Sequence, residues 1–566
     1  MTFLRKIPII VFLSFSNLWT FSLAVSKVSE NGYVEILNGA LQGQVNSDHL
    51  AFYHVPFAKA PVKELRWQPP QDPEDWSGVK HVEENNHLHC PQLLSSSNNV
   101  EDCLFLNIYM PKPSEIEKST SKKRAVLAWI YGGAFRFGSS ESAIYEAGRL
   151  AEQEGVIVVT INYRLASFGF SLDTENLESA AGNQGIKDQI KGLEWVQKNI
   201  EFFYGDPRRV TIYGQSAGGQ SVATILSLRE PRNELFNSAI PHSAPLGLPY
   251  KTKEEATKES GRLLRHLNCT SEPDPWVCAR SKTMEEVVIA EALTRSLSNQ
   301  AISSIFEEWS PAVDGDLLDK QPMLAIMDGR TAHKPVMYGY TDLEAAVFAY
   351  EIFRNPMGKF LYETTVNVWF GKDSDKVLKQ YPSTCSAIDR HCDERELASK
   401  LLTSYLFDCP TKKAMLVGRV QKKSSPLSQP TFKYLFDQPV QQLAPTNSSK
   451  EICSISSCHG AEVPFIFQSF ESLNWTPTDT EMKLSKKMIK YWTQFAYSND
   501  PNVPESGVQE NDYSLDYWHE FSDSDEDSEN KLYTQVLDDG TINSVDPLKL
   551  DADCDFWDEI DIYLEH

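Results

Sequence analysis

The run Thr211-Ile212-Tyr213-Gly214-Gln215-Ser216-Ala217-Gly218-Gly219 contains a G-x-S-x-G pentapeptide. A serine hydroxyl is a weak nucleophile unless a base takes its proton. A sharp strand-to-helix turn gives it that opportunity by exposing the hydroxyl. Val210, Ile212 and Tyr213 read as the incoming strand, and Val222, Ala223, Ile225 and Leu226 as the outgoing helix. The glycines two residues to either side let neighbouring backbones pass closely. This frame, more than the pentapeptide itself, marks Ser216 as a nucleophile.

Acyl transfer also needs donors for the oxyanion. Ala125-Val126-Leu127-Ala128-Trp129-Ile130 is a continuous apolar run, as in a parallel strand covered on both faces. It leads into Tyr131-Gly132-Gly133-Ala134-Phe135, where small residues allow backbone N–H groups to turn toward a substrate carbonyl. Gly133 and Ala134 are the candidate donors there, with the N–H of Ala217 as a third. Further strands are expected near 155–161, 210–214, 335–339 and 431–436. Ile186, Ile190, Leu193, Val196 and Ile200 form a helical stripe that should pack on the sheet.

The whole chain sets the frame for this chemistry. Its 566 residues, 41 % hydrophobic and 11 % aromatic, suffice for a large buried core. No Gly/Ser-rich or Pro-rich stretch divides it, so residues 25–566 read as one domain. Arg5 and Lys6 precede an apolar run from Ile7 to Leu23, and Ser22 and Ala24 supply small residues before a cleavage point. Residues 1–24 are thus expected to be a cleaved signal peptide, and the mature protein to be secreted without a membrane anchor. Ten cysteines, an even number, suit an oxidising compartment. Asn268, Asn447 and Asn474 each begin an N-glycosylation sequon. The net charge of −24, made two charges more negative by loss of Arg5 and Lys6, would repel nucleic acid.

Several further strings carry a family resemblance. They are Glu101-Asp102-Cys103-Leu104-Phe105-Leu106-Asn107-Ile108-Tyr109, Asn162-Tyr163-Arg164-Leu165, Gly182-Asn183-Gln184-Gly185, Asp188-Gln189 and Gly205-Asp206-Pro207. With Pro56 to Pro61 and Leu65-Arg66-Trp67, they follow the order of the type-B carboxylesterases, the α/β-hydrolase family that includes the cholinesterases. The chain resembles that family over nearly its whole mature length. Tyr204, where the family usually has glycine or arginine, is a small departure.

The resemblance implies an α/β fold: a mixed, mostly parallel sheet with helices on both faces and large cap insertions after Pro245 and around 350–425. It implies that His459, in Cys458-His459-Gly460-Ala461-Glu462, is the base, although it is one of twelve histidines. It assigns the acid to Glu344, with Asp342 as a local rival, and places Ser243 near that acid. The order Ser216, Glu344, His459 suits this fold. It also implies bridges Cys90–Cys103, Cys269–Cys278 and Cys409–Cys554. Cys385, Cys392, Cys453 and Cys458 remain, with three connectivities open and local pairing the simplest.

The expected substrate is a small neutral ester, with no cofactor or metal. Cholinesterases resemble this chain but carry a choline-stacking tryptophan within the first disulfide loop and a glutamate before the nucleophile. Here 91–102 has no aromatic residue, and the neutral Gln215 precedes Ser216. A quaternary ammonium needs π-faces and nearby negative charge. Val347 likewise stands where an aromatic is common, while Phe348 is kept. Two alternatives are a catalytically silent adhesion or binding homologue, and a lipase using amphipathic stretches between Met284 and Trp309. Oligomeric state is not readable from the sequence.

Overall fold

The computed structural model describes residues 27–93, 98–119, 121–229, 232–294, 308–386, 392–424, 429–504, 515–521, 534–538, 541–545 and 554–560. The expected signal peptide and the acidic run 523–529 lie outside the described residues. The strands are β1 (Tyr33–Ile36), β2 (Gly39–Val45), β3 (His49–Pro56), β4 (Val79–Val82), β5 (Phe105–Pro111), β6 (Arg124–Ile130), β7 (Ile157–Ile161), β8 (Gly205–Gln215) and β9 (Ser238–His242). Then follow β10 (Lys251–Thr252), β11 (Ala312–Val313), β12 (Val336–Thr341), β13 (Thr431–Phe436), β14 (Thr534–Asp538) and β15 (Thr541–Val545). One sheet runs β1-β2-β3-β5-β7-β6-β8-β9-β12-β13-β14-β15, with β4 beside β2, and β10 and β11 pair separately. From β7 through β14 the pairings are parallel, and the flanks are antiparallel apart from β4, which pairs in parallel with β2. This is the mixed, mostly parallel α/β-hydrolase sheet that the sequence implies.

Every residue of β6 and β7 is buried, because helices cover both faces of the sheet centre. Helix α1 (Gln184–Asn199) buries Ile186, Ile190, Leu193 and Val196, the expected stripe, and Ile200 follows it into the core. Helix α2 (Ala217–Ser227), directly after Ser216, is buried along its whole length. Helix α3 (Ala346–Ile352) follows β12. Helix α4 (Asp479–Ser498) starts at a capping box formed by Thr478 and Glu481 and crosses behind β6 and β8. No helix among the described residues is long and apolar enough to cross a membrane.

The parallel register decides where chemistry can occur. Ile130 lies opposite Gly214, Gln215 opposite His242, and His242 opposite Gly339. The carboxyl ends of β6, β8, β9 and β12 are therefore level. The loops leaving them converge on one rim, the usual ligand site of a parallel sheet. Between 346 and 424 the chain is largely helical and builds a second small core around Phe370, Tyr405 and Trp557.

Five disulfides are present: Cys90–Cys103, Cys269–Cys278, Cys385–Cys392, Cys409–Cys554 and Cys453–Cys458. The three implied pairs occur, and the four remaining cysteines pair locally. Cys409–Cys554 spans 145 residues and ties the helix Cys554–Ile560 to the second core. In the chain-entropy model, a loop of that length contributes about 5 kcal/mol.

Candidate active site

Ser216 sits between β8 and α2 with φ 61° and ψ −125°, a backbone conformation that a non-glycine residue rarely takes. Its neighbours enforce it. The Ser216 N–H donates to His242 O at 3.0 Å, and the end of β8 is fixed by pairing with β9. A Cβ at Gly218 would lie 2.0 Å from Ile130 O, and one at Gly214 2.5 Å from the same atom. Those two positions admit only glycine, so the pentapeptide spacing reflects the crossing of two backbones.

The turn 131–135 lies against the serine. A Cβ on Gly132 would come within 2.9 Å of Ser216 Cβ. Gly133 has φ 120°, Ala134 φ 54° and Phe135 φ 57°. Ala134 thus carries a methyl group on a left-handed backbone that glycine adopts without cost. Ala217 opens α2, so its N–H has no carbonyl one turn earlier to bond within the helix.

The candidate acid and the candidate base are joined by a short bridge between two loops. Leu343 pairs in parallel with Cys458, and the Leu343 N–H donates to Ser457 O at 2.8 Å. The next residue on each side is Glu344 and His459. Glu344 Oε2 lies 2.5 Å from His459 Nδ1, and the Thr341 N–H holds Oε1 at 2.7 Å. Nδ1 facing a carboxylate carries the proton, so the neutral tautomer of this ring has its lone pair on Nε2. Glu344 is fully buried whereas Asp342 is exposed, so the turn itself selects between the two acids. Phe348 and Phe407 pack on the imidazole with ring centroids at 5.0 and 5.4 Å. Cys453–Cys458 closes the loop immediately before the histidine.

Nε2 meets the Gln215 carboxamide at 3.1 Å. Among the described residues it receives no hydrogen bond from Ser216, although Gln215 and Ser216 are adjacent. Catalytic bonds of this kind commonly tighten only when substrate is bound.

Two supporting groups are not evident from the sequence alone. His242 is buried beneath the serine turn, and burial lowers its pKa to about 3, so it is neutral. Trp492 Nε1 donates to its Nε2 at 3.2 Å, so its Nδ1 carries the proton and meets the Tyr434 hydroxyl at 2.7 Å. The second group is Glu462, fully buried three residues beyond His459. Ser243 Oγ donates to Glu462 Oε1 at 3.3 Å, so the acid that this serine hydrogen-bonds is Glu462. An acid among Ala461, Val463 and Pro464 was the available sequence signal.

Burial raises Glu462 to about 8, and the Glu344 carboxyl adds to the shift. The folded protein thus holds a proton that the unfolded chain has released. The Glu462 contribution to stability is full below about pH 4.5, falls as pH rises toward about 8, then levels. Glu462→Gln should flatten this decline, removing about 1.4 kcal/mol of loss per pH unit. Urea unfolding at several pH values measures it, and equal slopes in both proteins contradict it.

The three sequon asparagines are exposed. Ser449 of the Asn447 sequon is buried, its hydroxyl engaged by Thr446 and Glu351. Of the segment between Met284 and Trp309, the helix Met284–Thr294 buries Val287, Val288 and Ala290 and exposes Ile289 and Leu293. Residues 295–307 lie outside the described part.

Known proteins are similar to this chain over most of its length. The model of the carboxylesterase family matches residues 30–557. The cAMP-regulated D2 protein of Dictyostelium discoideum is 34 % identical over 471 residues, covering 82 % of this chain and 83 % of that protein. The para-nitrobenzyl esterase of Bacillus subtilis (strain 168) is 29 % identical over 480 residues, covering 82 % and 89 %. A solved PNB esterase structure superposes with a TM-score of 0.74 at 26 % identity, covering 94 % of this chain and 100 % of its own. The chain therefore belongs to the carboxylesterase family, on its carboxylesterase and PNB-esterase branch and not the cholinesterase branch.

Proposed function

We propose that this protein is a secreted serine carboxylesterase that hydrolyses small neutral carboxylic esters through an acyl-enzyme. The observation that carries the reading is the Glu344–His459 pair at 2.5 Å, beside a serine held in a strained strand-to-helix turn. In the proposed cycle, Ser216 Oγ attacks the ester carbonyl carbon while its proton passes to His459 Nε2. Glu344 stabilises the resulting imidazolium and keeps Nδ1 protonated. The N–H groups of Gly133, Ala134 and Ala217 receive the oxyanion, at about 2.7–4 kcal/mol for one such donor. As the tetrahedral intermediate collapses, the carbon–alkoxide bond breaks and Nε2 returns the proton to the leaving alcohol. Water then repeats the sequence on the acyl-enzyme and frees the acid.

The neutral Gln215 before the serine and the absence of an aromatic residue from 91–102 favour an uncharged alcohol group over a quaternary ammonium. Relatives whose names give an activity are similar to this chain and include a para-nitrobenzyl esterase and a cocaine esterase. Loss of residues 1–24 and export, leaving 25–566 as one domain, are supported by the charged-then-apolar start and the five disulfides.

The test is treatment of the purified protein with a fluorophosphonate probe, followed by mass spectrometry of its peptides. One phosphonyl adduct on Ser216, with matching loss of nitrophenyl-ester hydrolysis, is the expected result. An unlabelled Ser216 in folded protein, or hydrolysis that persists after full labelling, overturns it.

A further inference from the structure

We infer that Gln215 is a positioning residue that keeps His459 neutral, and so available as a base, to lower pH than an acidic residue at that position would allow. This rests on the serine-esterase reading above and adds a determinant of its working range. Gln215 ends β8, paired with His242, and is only 7 % exposed. Its backbone is thus fixed while its carboxamide reaches His459. The carboxamide lies near the glycines of both loops: a Cβ added at Gly132 would lie 3.1 Å from Gln215 Oε1, and one at Gly460 3.5 Å from Nε2.

The chemistry follows from the donors. His459 Nδ1 faces the Glu344 carboxylate, so in the neutral ring Nε2 offers a lone pair. The Gln215 amide 3.1 Å away can donate to that lone pair, an interaction that exists only with the neutral imidazole. An imidazolium would present an N–H to the amide N–H and force the carboxamide to turn over. A glutamate here would do the reverse, because a carboxylate accepts from the imidazolium and gives nothing to the neutral ring.

The other surroundings of the ring do not perform this role. Phe348 and Phe407 pack against it as tilted rings and carry no charge. Among the described residues, Glu344 meets the ring at Nδ1, and Glu462, three residues beyond His459, is bonded to Ser243 and close enough to Glu344 to feel its charge. Both acids favour the imidazolium whenever ionised, which leaves the Nε2 side to Gln215. During turnover the lone pair must pass from the amide to the Ser216 hydroxyl, so the amide also parks the base between cycles.

The test compares wild type with Gln215→Glu and Gln215→Met. One readout is kcat/KM for a neutral nitrophenyl ester from about pH 4 to about pH 9, each profile normalised to its own plateau. The second is the titration of the low-field imidazole proton resonance, which needs no turnover. Gln215→Glu should move the acid limb and the resonance midpoint upward by about 1–2 pH units. Gln215→Met, which keeps the length and loses the donor, should move them upward by about half a unit. An unmoved Glu variant overturns the inference, as does a Met variant that moves as far as the Glu one. If Gln215→Glu does not fold, the Met variant decides alone, and an unmoved midpoint rejects the idea. Should wild type fail to hydrolyse esters or capture the probe, the functional reading fails, and the resonance titration still judges Gln215 separately.

Discussion

Ser216→Ala is expected to lower kcat for a short-chain nitrophenyl ester by about a million-fold, close to the full contribution of a nucleophile–base unit in this class of mechanism. In the proposed cycle the hydroxyl is the atom that bonds the acyl carbon. Some rate above the uncatalysed reaction should survive, because the backbone donors and the substrate pocket remain. The substitution removes one oxygen and leaves the β8–α2 crossing intact, so the fold should be unchanged. Steady-state kinetics with active-site titration checks this. A variant retaining more than about a hundredth of wild-type kcat would mean that the nucleophile lies elsewhere.

Glu344→Gln should cost about ten-thousand-fold in kcat. The carboxamide has the same shape, and its oxygen can still accept from the Thr341 N–H that now meets Oε1 at 2.7 Å. Its amino group would then face His459 Nδ1 and favour a lone pair on that nitrogen. The ring proton would move to Nε2, where a general base needs to be empty. The imidazolium formed in the transition state would also lose its counter-charge. Because the loss lies in the chemical step, KM should change far less than kcat. Probe capture by Ser216 should slow in proportion. Rapid labelling with wild-type kinetics would remove Glu344 from the mechanism.

Much of the fold was legible because buried parallel strands leave a plain mark. The apolar runs at β6 and β7 lie where expected, and β13 matches its expected span of 431–436. β9 was not legible. Ser238-Ala239-Ile240-Pro241-His242 holds a proline in a central strand, against the usual exclusion, yet every residue is buried. The antiparallel N-terminal strands were missed too, since β1 and β2 mix buried and partly exposed positions without a long apolar run. In the site, the glycine-flanked strand-to-helix turn pointed to Ser216, and the family resemblance assigned Glu344 and His459. The contacts that surround them came from elements far apart in sequence. Phe407 on the imidazole and Trp492 beneath the serine turn are examples.

By itself the sequence determined which groups exist and the local geometry that short-range sterics impose: the glycine-flanked serine turn, the apolar strands and the even set of cysteines. Tertiary structure decided which acid meets the base, because one parallel bridge at Leu343 and Cys458 sets Glu344 beside His459 and leaves Asp342 facing solvent. It also decided that Gln215 touches Nε2 and that Glu462 is buried close enough to Glu344 to feel its charge. Hydrogen bonds and ion pairing act over a few ångströms, so residues 244 positions apart, such as Gln215 and His459, affect one another only after the sheet brings them together.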